Sequence, residues 1–444
     1  MNKALILGAG LVVKPMVEYL LYNKINVVIA SRKKERAEAL FKGSPYGSHV
    51  QWSMDETDKL EKLIEETLVV VSLLPPKFHI DIARLCLRHK KNLVTTSYIQ
   101  PEMQSMDSHV KKEGLIFFNE AGLDPGIDHM SAMKIIDHIH KKGGKVEELY
   151  SLCGALPAPE AADNPLGYKF SWSPKGVILA SRSDASYLKK GRKIFVRPED
   201  LFKDRLTYYF PGTGELEIYP NRDSISYIDI YGIPETKTMY RGTFRFKGWC
   251  ETLDAMKGLK MLDDNLIDYT SKSYNEFLAE RGGIDKNDLR KNLANHSALS
   301  GNSAALKSLE WLGFFSDEKM GYGIATPFDI TSDRMISKMA LSDDEQDMIV
   351  MQHIFLASYP GGKSEVIKSS LRDFGSPATN TAIARTVALP ASIIVKMIIE
   401  KSLSLTGVLR PVHPDIYIPV LDELKSLGIE IEEEYGLPES AMNF

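Results

Sequence analysis

Lys3-Ala4-Leu5-Ile6-Leu7-Gly8-Ala9-Gly10-Leu11-Val12-Val13-Lys14-Pro15 opens the chain with a short apolar run that stops at a Gly-x-Gly turn. Val13, Met16, Val17 and Leu20 then recur at three- and four-residue spacing, the period of a half-buried helix. A strand, a glycine turn and a helix in that order form a phosphate-cradling unit. The first glycine permits the tight turn, and the second lets backbone approach a pyrophosphate resting on the helix N-terminus. The fingerprint is incomplete, because Val13 stands where its third glycine belongs. Pro15 falls in the first helical turn, where a missing N–H costs little.

Further strand and helix patterns follow. Asn26–Ala30, His49–Trp52, Leu68–Leu74, Asn92–Thr95 and Leu115–Asn119 read as strands. Helical segments begin at Lys33 and cover Ile80–His89 and Glu102–Lys112. Alternation of this length predicts an α/β fold, a doubly wound, Rossmann-type parallel sheet covered on both faces. The loop Gly8, Ala9, Gly10, Leu11, Val12 and Val13 is expected to hold a dinucleotide, with Leu74 at the end of the fourth strand beside it. The second strand chooses between cofactors. An NAD site places Asp or Glu at its end. Here it ends Ala30-Ser31-Arg32-Lys33-Lys34, with no acid before Glu35. Arg32 offers a planar donor fork and Ser31 a hydroxyl to a 2′-phosphate, so NADP(H) is expected.

After Asp128 the pattern changes. Val146–Cys153 and Thr238–Phe246 read as strands, with loop-rich stretches at Leu156–Pro165 and Phe210–Ser224 between them. A block from Glu251 to Trp311 is helical with no convincing strand, and Met348–Phe355 is a strand again. Pro390–Ser404 reads as an apolar helix opened by its proline, followed by a helix at Ile416–Gly428 and an acidic end. These segments predict a mixed α/β domain interrupted by a helical insertion. The 444 residues suit two or three domains, and 43% apolar with 26% charged residues is a globular balance. A net charge of -4 without a basic stripe argues against nucleic acid. No signal-peptide pattern and no run of about 18 apolar residues is seen. Three scattered cysteines, Cys86, Cys153 and Cys250, point to a reduced cytoplasmic setting.

Four longer motifs narrow the reading: Asn119-Glu120-Ala121-Gly122-Leu123-Asp124-Pro125-Gly126-Ile127-Asp128-His129, Cys153-Gly154-Ala155-Leu156-Pro157-Ala158-Pro159-Glu160, Asn164 to Ser173, and Tyr219-Pro220-Asn221-Arg222-Asp223-Ser224. With Ser97-Tyr98, Arg241-Gly242-Thr243 and the glycine turn in order, the chain resembles the saccharopine reductases over nearly its whole length. That resemblance implies a dinucleotide domain at 1–125 completed by 390–444. It also implies a substrate-binding and dimerisation domain at 126–250 continued by 345–389, and a helical insertion at 251–344. The implied activity joins L-glutamate to α-aminoadipate semialdehyde as saccharopine, or splits it, in lysine metabolism. NADP(H) would carry the hydride, and the protein would be a homodimer; the composition adds the expectation of no membrane or nucleic-acid partner.

Such a substrate carries three carboxylates and two nitrogens. Arg222 and Arg241 are the candidate carboxylate clamps, with Ser97, Tyr98, Asp124, Trp172, Gly242 and Thr243 beside them. Asp124 is the candidate for holding the amine proton, Tyr98 a donor or orienter, and Cys153 a further proton-transfer candidate. By resemblance the Ser171-Trp172-Ser173 loop reaches cofactor and substrate, Ser173 toward the cofactor. His129 reads as a helix-start or packing histidine. Asp124, Asp128 and His129 lack a matching third ligand, so no metal is expected. Two other readings compete. A carboxynorspermidine-type reductase would need fewer carboxylate partners, and a catalytically silent NADP(H)-binding protein would not need the polar set just named.

Overall fold

Residues 2–296 and 303–442 are described by the structure, a computed structural model. Positions 297–302 of the expected helical block lie outside the described residues. The chain divides into two compact units, Met1–Gly144 with Ser369–Glu434, and Lys145–Lys368 with Tyr435–Phe444. Residues 126–144 and 369–389, which the sequence reading groups with the second domain, therefore belong to the first unit. The stretch 251–344 lies within the second.

The first unit is built on strands β1 (Lys3–Leu7), β2 (Asn26–Ser31), β3 (Gly47–Gln51), β4 (Val69–Ser72), β5 (Asn92–Thr95), β6 (Ile116–Phe118) and β17 (Gly407–Leu409). They form one seven-stranded sheet in the order β17-β6-β5-β4-β1-β2-β3, with every pair parallel. Strands covered on both faces must be apolar along their length, and Ala4 to Leu7 of β1 are fully buried. The expected doubly wound sheet is present. The helix expected at Glu102–Lys112 is broken at Met106 into Pro101–Ser105 and Asp107–Lys112.

The returning C-terminal segment adds more than β17. Its helix Ala382–Ile399 packs on the helix Lys14–Tyr22 and against β4 and β5. The sequence reading started this helix at Pro390. In fact Thr381 caps it, its hydroxyl accepting the Ala384 N–H at 3.1 Å, and Pro390 lies in the interior. An interior proline costs about 3 kcal/mol. Burial of 83% of the helix offsets that. By length and composition the helix could cross a membrane; its burial makes it a core helix here.

The second sheet contains β7 (Lys145–Pro157), β8 (Ala185–Lys189), β9 (Arg192–Val196), β10 (Leu206–Phe210), β11 (Gly214–Pro220), β12 (Thr238–Arg245), β15 (Asp347–Tyr359), β16 (Lys363–Phe374) and β18 (Ile431–Leu437), and the unit boundaries at Lys368 and Tyr435 fall within β16 and β18. The sheet order is β10-β11-β12-β7-β15-β16-β18, and β8 pairs with β12 and β9. Strand β12 runs parallel to β7, while β15 runs antiparallel to it over almost its full length. The stretch Phe210–Ser224, expected to be loop, holds β11. A two-stranded pair, β13 (Ile267–Asp268) with β14 (Ile324–Ala325), lies in the block expected to be purely helical. Two-residue strands are too short to show alternation. Tyr168, Phe202, Phe244, Trp249, Phe277 and Phe314 are among the largest side chains of the second unit's core, all fully buried.

Candidate active site

The glycine turn forms because both flanking strands anchor it. Gly8 N–H donates to Ala30 O at 3.0 Å, and Leu73 N–H donates to Leu7 O at 3.1 Å. Gly8 has φ +104°, a conformation that side chains rarely adopt. A Cβ on Gly10 would meet no atom within 4 Å, so packing within the protein does not require glycine there. Open space over bare backbone is what an approaching pyrophosphate needs. The helix Lys14–Tyr22 has no side-chain cap, which leaves its first N–H groups available. Val13 is buried and serves helix packing. Ala9 and Val12 are half-buried and Leu11 is 57% exposed around the turn; Leu74 reaches within 3.7 Å of a Cβ placed on Gly8.

At the end of β2, Ser31 is buried and its hydroxyl lies 3.3 Å from Lys33 O and 3.2 Å from His49 Nε2. Arg32 is exposed and makes no ion pair among the described residues. An exposed guanidinium with no acid at the strand end fits a 2′-phosphate better than a ribose hydroxyl. The turn and this strand end therefore suit NADP(H). His49, on the neighbouring strand, escaped the sequence reading because nothing local links it to Ser31.

Beyond the carboxyl ends of β5 and β6, Tyr98 donates its hydroxyl to Asp124 Oδ1 at 2.9 Å. The turn that presents Asp124 is closed by Gly122 N–H to Pro125 O at 2.9 Å and Ile127 N–H to Gly122 O at 2.9 Å, with a cis Asp124–Pro125 peptide. Only glycine fits at Gly126, since a Cβ there would sit 1.9 Å from Gly122 O. Ser97 shares a hydrogen bond with His79 Nε2 at 2.9 Å, and His79 Nδ1 shares another with Ser72 at 2.9 Å. Burial pushes the His79 ring down to about 4, so it is neutral at pH 7.

Behind this pair lie four more ionisable groups. His129 is fully buried, with Nε2 3.1 Å from Glu120 and Nδ1 3.4 Å from Asp128. Arg410 Nε is 3.4 Å from Glu120. Burial would raise the Glu120 carboxyl; the hydrogen bond and charge of His129, the Arg410 charge and the Ile99 N–H more than reverse this, and it falls below its ordinary value. Glu120 lay in a quoted motif without a role, and Arg410 had no sequence signal at all.

The second unit places polar side chains on the face of its sheet. Register pairs Tyr219 with Thr243, Thr243 with Cys153, and Arg241 with Ser151. Because side chains alternate along strands, Arg241, Thr243, Arg245, Cys153 and Tyr219 share one face. Gly242 points to the other, where a Cβ would lie 2.6 Å from Ile218 and 2.9 Å from Leu152. Arg241 is 2% exposed and its guanidinium stacks 4.3 Å over Tyr227. Arg245, also missed by the sequence reading, is 5% exposed and ringed by Tyr168 at 5.0 Å, Trp249 at 5.5 Å and Tyr219 at 5.9 Å. It makes no ion pair among the described residues.

Arg222 is exposed at φ +51°, an uncommon conformation outside glycine. Its neighbours hold it there. Asn221 N–H donates to Arg241 O at 2.8 Å, Ser186 N–H to Arg222 O at 2.9 Å, and Arg241 N–H to Ser224 Oγ at 2.9 Å. Asp223 accepts from Ser186 Oγ at 3.0 Å and from Ile225 N–H at 2.9 Å. The Tyr219–Ser224 motif is thus a turn that ties Arg222 to the backbone of Arg241. Trp172 is half-buried against the core, and Ser173 is exposed at the start of the helix Pro174–Ala180.

A parallel sheet with a glycine turn, followed by a second α/β unit with buried arginines on a sheet face, has the form of a dinucleotide-binding oxidoreductase. The family described as the saccharopine dehydrogenase NADP binding domain matches residues 4–118, and the saccharopine dehydrogenase C-terminal domain matches 122–429. This chain belongs to the saccharopine dehydrogenase family. It is 38% identical over 450 residues to the saccharopine dehydrogenase [NADP(+), L-glutamate-forming] of Saccharomyces cerevisiae, covering 98% of this chain and 99% of that protein. It is 36% identical to the mitochondrial alpha-aminoadipic semialdehyde synthase of Bos taurus, covering 96% of this chain and 47% of that longer protein. The solved structure of apo histidine-tagged saccharopine dehydrogenase (L-Glu forming) from Saccharomyces cerevisiae superposes with a TM-score of 0.89 at 36% identity, over 98% of this chain and 100% of that one.

Proposed function

We propose that this chain interconverts saccharopine with L-glutamate and α-aminoadipate semialdehyde, using NADP(H), as a step of lysine metabolism. The end-to-end match to an L-glutamate-forming enzyme carries the reading. In the reductive direction the glutamate amine adds to the aldehyde carbon and water leaves, giving an imine. A hydride reaches the imine carbon and a proton its nitrogen, leaving the secondary amine. The nicotinamide supplies that hydride when bound.

The protein's own residues bind, orient and move protons. Gly8 to Val13, Leu74 and Ser173 take the dinucleotide, and Ser31 with Arg32 its 2′-phosphate. Arg222 and Arg241 take substrate carboxylates, with Ser97, Trp172, Gly242 and Thr243 contributing to the same substrate. Asp124, oriented by the Tyr98 hydroxyl, holds the amine proton; Cys153 is a second proton carrier. The resemblance supports a homodimer, and the scattered cysteines support a cytoplasmic setting.

The test is a spectrophotometric assay of saccharopine-dependent reduction of NADP⁺ and, separately, NAD⁺. Turnover with NADP⁺ preferred is expected. Preference for NAD⁺ would overturn the roles of Ser31 and Arg32, and no turnover with either would overturn the activity.

A further inference from the structure

We infer that the buried Glu120–His129–Asp128 bridge, with Arg410 at its outer side, is the device that positions the Tyr98–Asp124 pair. The inference rests on the proton-handling role proposed for that pair.

Burying ionisable groups is costly, so a cluster of them this deep in the fold calls for a role. Glu120 is 3% exposed, and Asp128 and His129 are fully buried. Each acid holds the backbone of one partner of the pair. Glu120 Oε1 accepts the Ile99 N–H at 3.0 Å, next to Tyr98, and the Glu120 N–H donates to Ser97 O at 3.0 Å. The residue preceding Tyr98 and the one following it are therefore both bound to Glu120. Asp128 Oδ1 accepts the Gly126 N–H at 2.6 Å, and the Asp128 N–H donates to Leu123 O at 3.0 Å. Those two contacts bracket Asp124.

His129 joins the two acids, with one ring nitrogen toward each. Glu120 also holds φ +58°, a backbone conformation unusual for a residue with a side chain. The bridge thus spans from the end of β5 to the turn after β6 and fixes the separation of two groups that meet at 2.9 Å. Displacing a reacting group by about 1 Å can cost on the order of a hundredfold in rate.

The experiment uses the full chain and measures kcat and KM for saccharopine oxidation by NADP⁺. Glu120→Gln and His129→Asn are made in the wild-type and in the Tyr98→Phe background. The expected result is a loss of roughly 10- to 100-fold in kcat from either substitution in the wild type, with the KM for NADP⁺ unchanged. In the Tyr98→Phe background the same substitutions should cost less than about threefold, because the contact they protect is already gone. Equal fold losses in both backgrounds would overturn the inference alone. Wild-type kcat in Tyr98→Phe and Asp124→Asn would overturn the role of the pair, and the inference with it. Arg410→Gln, at the outer side of the bridge, keeps the test alive if the buried variants do not fold. Its smaller loss must also shrink in the Tyr98→Phe background, and an undiminished loss would count against the inference.

Discussion

Tyr98 and Asp124 leave the first sheet beyond the ends of β5 and β6, whereas Arg241, Thr243 and Cys153 sit inside strands of the second. The first arrangement depends on backbone: a closed glycine turn and main-chain hydrogen bonds decide where a side chain goes. The second depends on register: once β11, β12 and β7 pair, alternation puts the polar set on one face. Loop-borne chemistry should therefore break when a turn is disturbed. Strand-borne chemistry should break only when the side chain itself is changed.

The sharpest break is expected from Gly126→Ala, which drives a Cβ into backbone at 1.9 Å. A loss of more than about 4 kcal/mol in urea unfolding is expected, since no flexible side chain can yield. Next comes the titration of His79. Its folded value of about 4 lies below the ordinary 6.5. The unfolded chain thus binds more protons between those values, and stability is full above pH 6.5 and falls as pH drops toward 4. The expected loss is about 3 kcal/mol between pH 7 and pH 4, followed by unfolding at a series of pH values, and His79→Asn should flatten that part of the curve.

Arg32→Asp tests the end of β2. NADPH binding should weaken by roughly 100-fold while NADH changes only severalfold, read by fluorescence titration. Equal losses would remove the 2′-phosphate assignment. The mildest change is Arg241→Lys in the second sheet. It keeps the charge but loses the planar fork, so the KM for saccharopine should rise by about tenfold with thermal stability nearly unchanged. A collapse of stability there would show that the strand-borne half is no more tolerant than the turn.

The same contrast explains what could be read from the sequence. Strands β1, β2, β4, β5 and β6 were legible within a few residues because each is a short, largely apolar run that is mostly buried, while the half-exposed β3 was placed two residues late at its start. In the second sheet β8 and β9 were invisible: Arg192-Lys193-Ile194-Phe195-Val196 carries charges and leaves Phe195 64% exposed, so no inward-outward alternation marks it. Pro390 misled because proline is favoured in a first turn, while the true start was signalled only by Thr381. Tyr98 and Asp124 were named from their motifs, and the structure brings them together. Their support was not legible, because Glu120 meets Arg410 across a sequence gap that holds the Lys145–Lys368 part of the second unit.

That gap bears on how the protein is made. The first unit is interrupted by the second, and β17, the helix Ala382–Ile399 and Arg410 are synthesised only after residues Lys145–Lys368 of that unit. Until then the nascent sheet ends at β6 with an unpaired edge, the kind of surface that recruits foreign strands. The N-terminal unit is therefore not a detachable cassette. Cutting the chain after β6 would leave an aggregation-prone fragment, and a late nonsense mutation would disable the unit that was translated first.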